Sequence, residues 1–140
     1  MNTDVMFSSR SDNWATPTDL FNKLNEEFHF NLDPCANAYN HKCDRYFTKE
    51  QDGLKQNWGG NRVFCNPPYG KEINKWVLKC SEESKKNNTL VVMLIPARTD
   101  TRWFHDYIYE KAEIRFIKGR LRFGDSKNPA PFPSMIVVFK

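Results

Sequence analysis

The chain has no apolar run near the ~18–20 residues a membrane-spanning helix needs. Its opening residues, Met1-Asn-Thr-Asp-Val-Met-Phe, lack the basic and apolar regions of a secretory leader, so a soluble protein of the cytoplasm is expected. Cysteine is scarce and scattered: Cys35, Cys43, Cys65 and Cys80 form no C-x-x-C pair, which argues against a zinc ribbon or a disulfide scaffold. His41-x-Cys43 is the only hint of metal spacing and is too weak to support a site. Cys35 and Cys65 sit in apolar segments and fit small core residues. No internal repeat or low-complexity tract appears. With 39% hydrophobic and 27% charged residues, the composition is that of a folded globule.

At 140 residues the chain is one domain, large enough for a single core. Residues 1–13 are polar and aperiodic and are expected to form a flexible arm. Residues 14–140 then form one domain without a separate target-recognition domain. Charge is unevenly spread. Residues 1–70 hold 7 Lys/Arg against 9 Asp/Glu, whereas residues 71–140 hold 14 against 8. A basic second half suits contact with phosphates, although for Lys85-Lys86 a solvated, Lys-rich helix face is the better reading.

The most informative stretch is Val63-Phe-Cys-Asn66-Pro67-Pro68-Tyr69-Gly70. An apolar strand pattern stops at two prolines, which cannot donate to a sheet ladder. In an open α/β sheet the C-terminal ends of strands are where ligands bind. An exocyclic amine on a base is a poor nucleophile because its lone pair is delocalised into the ring. Two acceptors aimed at its hydrogens, the Asn66 side-chain oxygen and the Pro67 carbonyl, free that lone pair. Pro68 stiffens the turn, and Tyr69 offers a flat face for an extruded base. In-line methyl transfer then depends mainly on orientation.

Periodicity supplies the frame. Thr16 is placed as the N-cap and Pro17 as the first turn of a helix reaching Phe28, with Asp19 at the capping-box position. Phe28–Asp33 alternates as a strand, and Tyr46–Thr48 fits a short one. Glu72–Lys85 has helical spacing with an apolar stripe at 73, 76, 77 and 80. Thr89–Ile95 reads as a parallel strand buried on both faces and ended by Pro96. Thr99 or Asp100 caps a helix through Trp103, Phe104, Tyr107 and Ile108. Ala112–Lys118 is a half-buried strand, Gly119–Gly124 puts Arg120 and Arg122 on one face, and Ser134–Lys140 is a final buried strand.

Five blocks in order, Trp14-Ala-Thr-Pro17, Leu32-Asp-Pro-Cys-Ala36, Asp52-Gly-Leu54, Asn66-Pro-Pro-Tyr-Gly70 and Pro96-Ala-Arg-Thr-Asp-Thr-Arg-Trp103, give the chain its resemblance. It is similar to the small phage-type DNA N6-adenine methyltransferases of the Dam family, from Trp14 to the C-terminus. That resemblance implies an α/β, compact Rossmann-like methyltransferase sheet with flanking helices, acting in a bacterial host cytoplasm on double-stranded DNA with S-adenosylmethionine as cofactor and no metal. It implies catalytic roles for Asn66, Pro67, Pro68 and Tyr69, and cofactor contacts from Trp14, Thr16, Pro17, Asp33, Pro34, Cys35, Ala36, Asp52 and Asn66. Asp33 corresponds to the acid at the first strand's tip, but Cys35-Ala-Asn-Ala-Tyr-Asn-His-Lys follows it where most such enzymes have a Gly-rich turn. Asp52-Gly53-Leu54 resembles the family's Asp-x-Leu, whose carboxylate accepts from the cofactor's adenine; an ordinary Asp-Gly turn explains it as well.

Arg98, Thr101, Arg102, Trp103, Arg120 and Arg122 are the DNA-binding candidates: arginines for phosphates, and Trp103 for the gap left by a flipped base. The alternative for the first four is a capped helix with surface arginines and a buried Trp. Trp14 is placed as a lid or base-side aromatic, with core packing as its alternative. Methylation of RNA or of a protein glutamine, and DNA binding by a chain with a decayed cofactor site, are the competing functions.

Overall fold

A computed structural model describes residues 14–124 and 126–140; the proposed arm, residues 1–13, lies outside the described residues. The first helix, α1 (Thr18–Phe28), buries Phe21 and Leu24 on one face and carries Asp19 in its first turn. Its N-cap is Pro17, not Thr16: the Pro17 carbonyl accepts from Phe21 N–H at 3.1 Å, and no side chain caps the helix. At its other end His29 adopts the left-handed region (φ 55°, ψ 64°) and donates to the Asn25 carbonyl. Asn25 Oδ1 also accepts from Phe30 N–H at 2.8 Å. This closure occupies the residues expected to begin a strand, so β1 is only Leu32–Asp33. β2 is Arg45–Tyr46, one residue earlier than the Tyr46–Thr48 pattern suggested.

After a 3-10 turn at Gly53–Lys55 come β3 (Arg62–Cys65), α2 (Ile73–Ser84), β4 (Leu90–Pro96), α3 (Arg102–Tyr107), β5 (Glu113–Phe116) and β6 (Ser134–Phe139). The six strands form one sheet in the order β2-β1-β3-β4-β6-β5. The pairs β2/β1, β1/β3 and β3/β4 are parallel, while β6 runs antiparallel to both β4 and β5. β4 is therefore parallel to a neighbour on one side only. Its burial on both faces comes from its central position, with Val91 through Ile95 fully enclosed. Gly119–Gly124 forms no strand, although Arg120 and Arg122 are exposed and Phe123 is buried as the alternation suggested.

α2 shows how the layers lock. Ile73, Trp76, Val77 and Cys80 face the core at helical spacing. Beside them Glu83 is buried, accepting from Trp58 N–H at 2.6 Å and pairing with Lys86 at 2.8 Å and Lys79 at 3.5 Å. Burial alone would raise its pKa, but Lys86, the Trp58 N–H and Lys79 together hold it below the usual carboxylate value.

The topology has one consequence for chemistry. β1, β3 and β4 end at one edge of the sheet, and β6 starts there, with Ser134 opposite Pro96. The loops after Asp33, Cys65 and Pro96, and the 117–133 segment entering β6, converge on that edge.

Candidate active site

A cavity of about 620 Å³ opens at this edge, a size typical of small-molecule sites. Trp14, Thr16, Asp33, Pro34, Cys35, Ala36, Asp52 and Asn66 all line it, with Pro67 and Pro68; of the expected cofactor residues Pro17 alone is not on its wall. Lys42, Lys49 and Glu72, which the sequence does not mark as site residues, also line it, as do Leu54 of the Asp-Gly-Leu block and Trp76 of the helical stripe. Glu72 could have been suspected from its place just after the proline turn.

Asp33 organises the loop that replaces a Gly-rich turn. It is buried, and its two oxygens accept from Cys35 N–H at 3.2 Å and Lys42 N–H at 2.9 Å. Burial raises its pKa, an effect that the two N–H donors oppose. One carboxylate thus pins both ends of residues 35–42, which explains how this loop keeps its shape without glycine. Asp52 carries a backbone strain: it holds φ 56°, ψ 90° and caps the Gly53–Lys55 turn through Leu54 N–H. Gly53 is needed for space. A Cβ there would stand 2.2 Å from the Pro34 carbonyl oxygen, and the Gly53 carbonyl accepts from Trp58 Nε1 at 3.0 Å. The Asp52 turn is therefore pressed against the Asp33-Pro34 loop. It is a turn and a cavity wall at once, so the two explanations of Asp52-Gly53-Leu54 are not exclusive.

Asn66 stands where β3 ends, and each polar atom of its side chain is engaged. Nδ2 donates to the Trp14 carbonyl and to Thr16 Oγ1 at 2.9 Å, while Oδ1 accepts from Tyr69 Oη–H at 2.5 Å. The Thr16 hydroxyl thus meets Asn66, and α1 starts one residue later, with Pro17 as its N-cap. Tyr69 corrects an expectation. It is only 3% exposed, so its ring is not open to an extruded base, and its hydroxyl also lies 3.0 Å from the Leu94 carbonyl. Burial keeps that hydroxyl protonated, well above its ordinary pKa. Its ring meets Phe123 and Phe132 edge-on, at centroid distances of 6.1 and 5.7 Å. Trp14 packs edge-on against the same two rings at 5.5 and 5.2 Å, and Gly124 N–H donates to the Ala15 carbonyl. Trp14 is thus half-buried in an aromatic cluster beside the cavity. Phe123 and Phe132 were not foreseen as site residues. The available signal was Pro131-Phe132-Pro133, two prolines holding an aromatic in extended backbone.

Arg98, Arg102, Arg120 and Arg122 are exposed; Arg120 also reaches the Ala130 carbonyl at 3.4 Å. Thr101, rather than Thr99 or Asp100, caps α3: its Oγ1 accepts from Phe104 N–H and donates to the Arg98 carbonyl. Trp103 is buried at 8% exposure in the core cluster, so it cannot fill a DNA gap from this position. Of the thiols, Cys43, Cys65 and Cys80 are buried and Cys35 lies 3.5 Å from Cys65. Burial pushes the Cys35 and Cys80 thiols up and Cys43 to about 12, so these three stay neutral. His41 Nδ1 is 2.8 Å from the Cys43 carbonyl and its ring stacks on Tyr46, which accounts for His41 without a metal. No helix among the described residues is long and apolar enough to cross a membrane.

Comparison with known proteins identifies the family. The family model described as DNA N-6-adenine-methyltransferase (Dam) matches residues 4–140. A DNA N-6-adenine-methyltransferase of Haemophilus phage HP1 is 33% identical over 140 residues, covering 94% of this chain and 80% of that protein. One of Escherichia phage T1 is 34% identical over 112 residues, covering 79% of this chain and 46% of the relative. The chain belongs to the DNA N-6-adenine-methyltransferase (Dam) family.

Proposed function

We propose that this chain transfers a methyl group from S-adenosylmethionine to the exocyclic amine of an adenine flipped out of double-stranded DNA. The observation that carries this reading is the Asn66 amide, whose two N–H groups are taken by Trp14 and Thr16. That leaves a lone pair on Oδ1, beyond the one given to Tyr69, for a substrate amine. With the Pro67 carbonyl it offers two acceptors to the amine's two hydrogens, which disfavours delocalisation of the nitrogen lone pair. Pro67 and Pro68 fix the direction of that carbonyl, so little reorganisation is needed at the moment of reaction.

The cavity suits the cofactor by its chemistry. Pro34, Leu54, Phe64 and Trp76 give apolar surface for a purine, and Asp33 and Asp52 give carboxylates for its amino and hydroxyl donors. When bound, S-adenosylmethionine supplies an electrophilic methyl group on a positively charged sulfur. Asp33 keeps the 35–42 loop against that site, and Gly53 lets the Asp52 turn approach it. Arg98, Arg102, Arg120 and Arg122 hold DNA phosphates near the same edge. A base stacks on Tyr69 only once Phe123 and Phe132 have moved off its ring. In this reading, base entry and displacement of the 119–133 segment are therefore one step. Family membership favours DNA over RNA or a protein glutamine as acceptor.

Asn66→Ala tests the reading. Methyl transfer should fall by about 10²-fold or more, the scale of losing one preorganised polar group, while calorimetric binding of S-adenosylhomocysteine stays near wild type. A variant that methylates DNA at near wild-type rate would overturn it.

A further inference from the structure

We infer that Thr16 is a positioning residue for the reaction, acting through Asn66 and not primarily through the cofactor. The inference rests on the reading of Asn66 as the residue that orients the acceptor amine. A side-chain amide can present either its oxygen or its NH2 group to a substrate, and only the oxygen can accept from an amine. Something must choose between these two orientations. Here the choice follows from the partners. The Trp14 carbonyl can only accept, so the group facing it must be the Asn66 NH2. Thr16 Oγ1 takes the second N–H at 2.9 Å. With both hydrogens engaged on the 14–16 side, Oδ1 is turned toward Tyr69 and the acceptor position.

Thr16 has features a cofactor contact would not need. It is only 5% exposed. It stands where an N-cap is expected, immediately before Pro17, yet its hydroxyl caps nothing and bonds 50 residues away instead. The Pro17 carbonyl starts α1, so the segment carrying Thr16 is anchored to a helix, and Gly124 N–H holds Ala15 from the other side. Trp14 and Thr16 thus form a backbone-fixed fork around one amide. Flipping that amide would set its oxygen against a carbonyl and its NH2 toward a methyl acceptor that has hydrogens of its own.

Thr16→Val keeps the side chain's shape and removes the acceptor; Thr16→Ser keeps the acceptor and removes only a methyl group. With unmethylated DNA and S-adenosylmethionine, Thr16→Val should lower kcat by roughly tenfold, the effect of leaving one hydrogen bond unmade at an orienting group. Its KM for the cofactor should stay within about twofold of wild type, and Thr16→Ser should recover most of kcat. A Thr16→Val protein with unchanged kcat overturns the inference, and so does one whose loss lies wholly in cofactor KM. A readout without turnover covers a Val variant that does not fold. In wild-type protein, the side-chain NH2 pair that disappears from the NMR spectrum in Asn66→Ala should be protected from solvent exchange, and Thr16→Ser should keep that protection. An unprotected pair overturns the inference whatever the kinetics. If the wild-type chain methylates DNA and these tests fail, Thr16 alone loses its role; if it methylates no adenine, the reading of Asn66 falls with it.

Discussion

Gly53 has no room for a side chain. Its missing Cβ is where the Pro34 carbonyl sits, and Trp58 binds its own carbonyl. Gly53→Ala should push the Asp52 turn away from the Asp33-Pro34 loop. The expected outcome is a loss of about 1–3 kcal/mol of stability by denaturant titration, with weaker S-adenosylhomocysteine binding. An alanine variant matching wild type in both would show that the two loops are not pressed together. Glu83 makes a prediction about pH. Its folded pKa is lowered, so the stability it contributes is present above its unfolded value near 4.5 and is lost as pH falls through the lower folded value. Glu83→Gln removes that term, and the wild-type and variant stabilities should converge as pH drops below 4.5. A gap between them that stays constant with pH would contradict the linkage. At this scale the sequence was legible where chemistry is local. Asn66 and its two prolines, and Asp33 at a strand tip, declare themselves by residue type and neighbours. Tyr69 was misplaced because what buries it, Phe123 and Phe132, arrives more than 50 residues later in the chain.

Among the elements, α3 shows what periodicity conceals. It has only six residues, too few to persist without tertiary packing, and Trp103 and Phe104 supply that packing. Trp103→Ala should therefore cost stability, about 3–5 kcal/mol, as for other buried aromatic truncations. Were Trp103 a DNA-gap residue, the same substitution would instead leave stability near wild type and weaken DNA binding. Aromatic identity beside two arginines fits either role; the helix phase decides, and Thr101 sets that phase by capping where Thr99 and Asp100 do not. α1 illustrates the same limit. It starts one residue later than expected, with Pro17 as N-cap and Thr16 bonded to Asn66, and its closure at His29 used residues whose alternation resembled a strand. By contrast, α2 and β4 were legible in type and near-complete in extent. Their apolar spacing is strong, and it matches the buried positions Ile73, Trp76, Val77 and Cys80 and Val91 through Ile95.

For the whole molecule, what positions the site is one sheet edge, where β1, β3 and β4 end and β6 begins. Parallel order along that edge was foreseeable; the reversed β6, which brings the aromatic 119–133 segment over Tyr69, was not read from its apolar pattern. Charge follows the same division, with the basic residues concentrated after residue 70. Arg120→Ala with Arg122→Ala should reduce the salt slope of DNA binding by about 0.9 for each phosphate no longer neutralised, with cofactor binding unchanged. An unchanged slope would remove both residues from the DNA interface. Methyl transfer to an adenine amine through Asn66 is read from the identity of the product. Wild-type protein is incubated with methyl-labelled S-adenosylmethionine and unmethylated DNA, and the DNA is digested to nucleosides. Label is expected in N6-methyldeoxyadenosine, and is expected to be lost in Asn66→Ala. Label in another nucleoside, or no label from a protein that binds the cofactor, would contradict it.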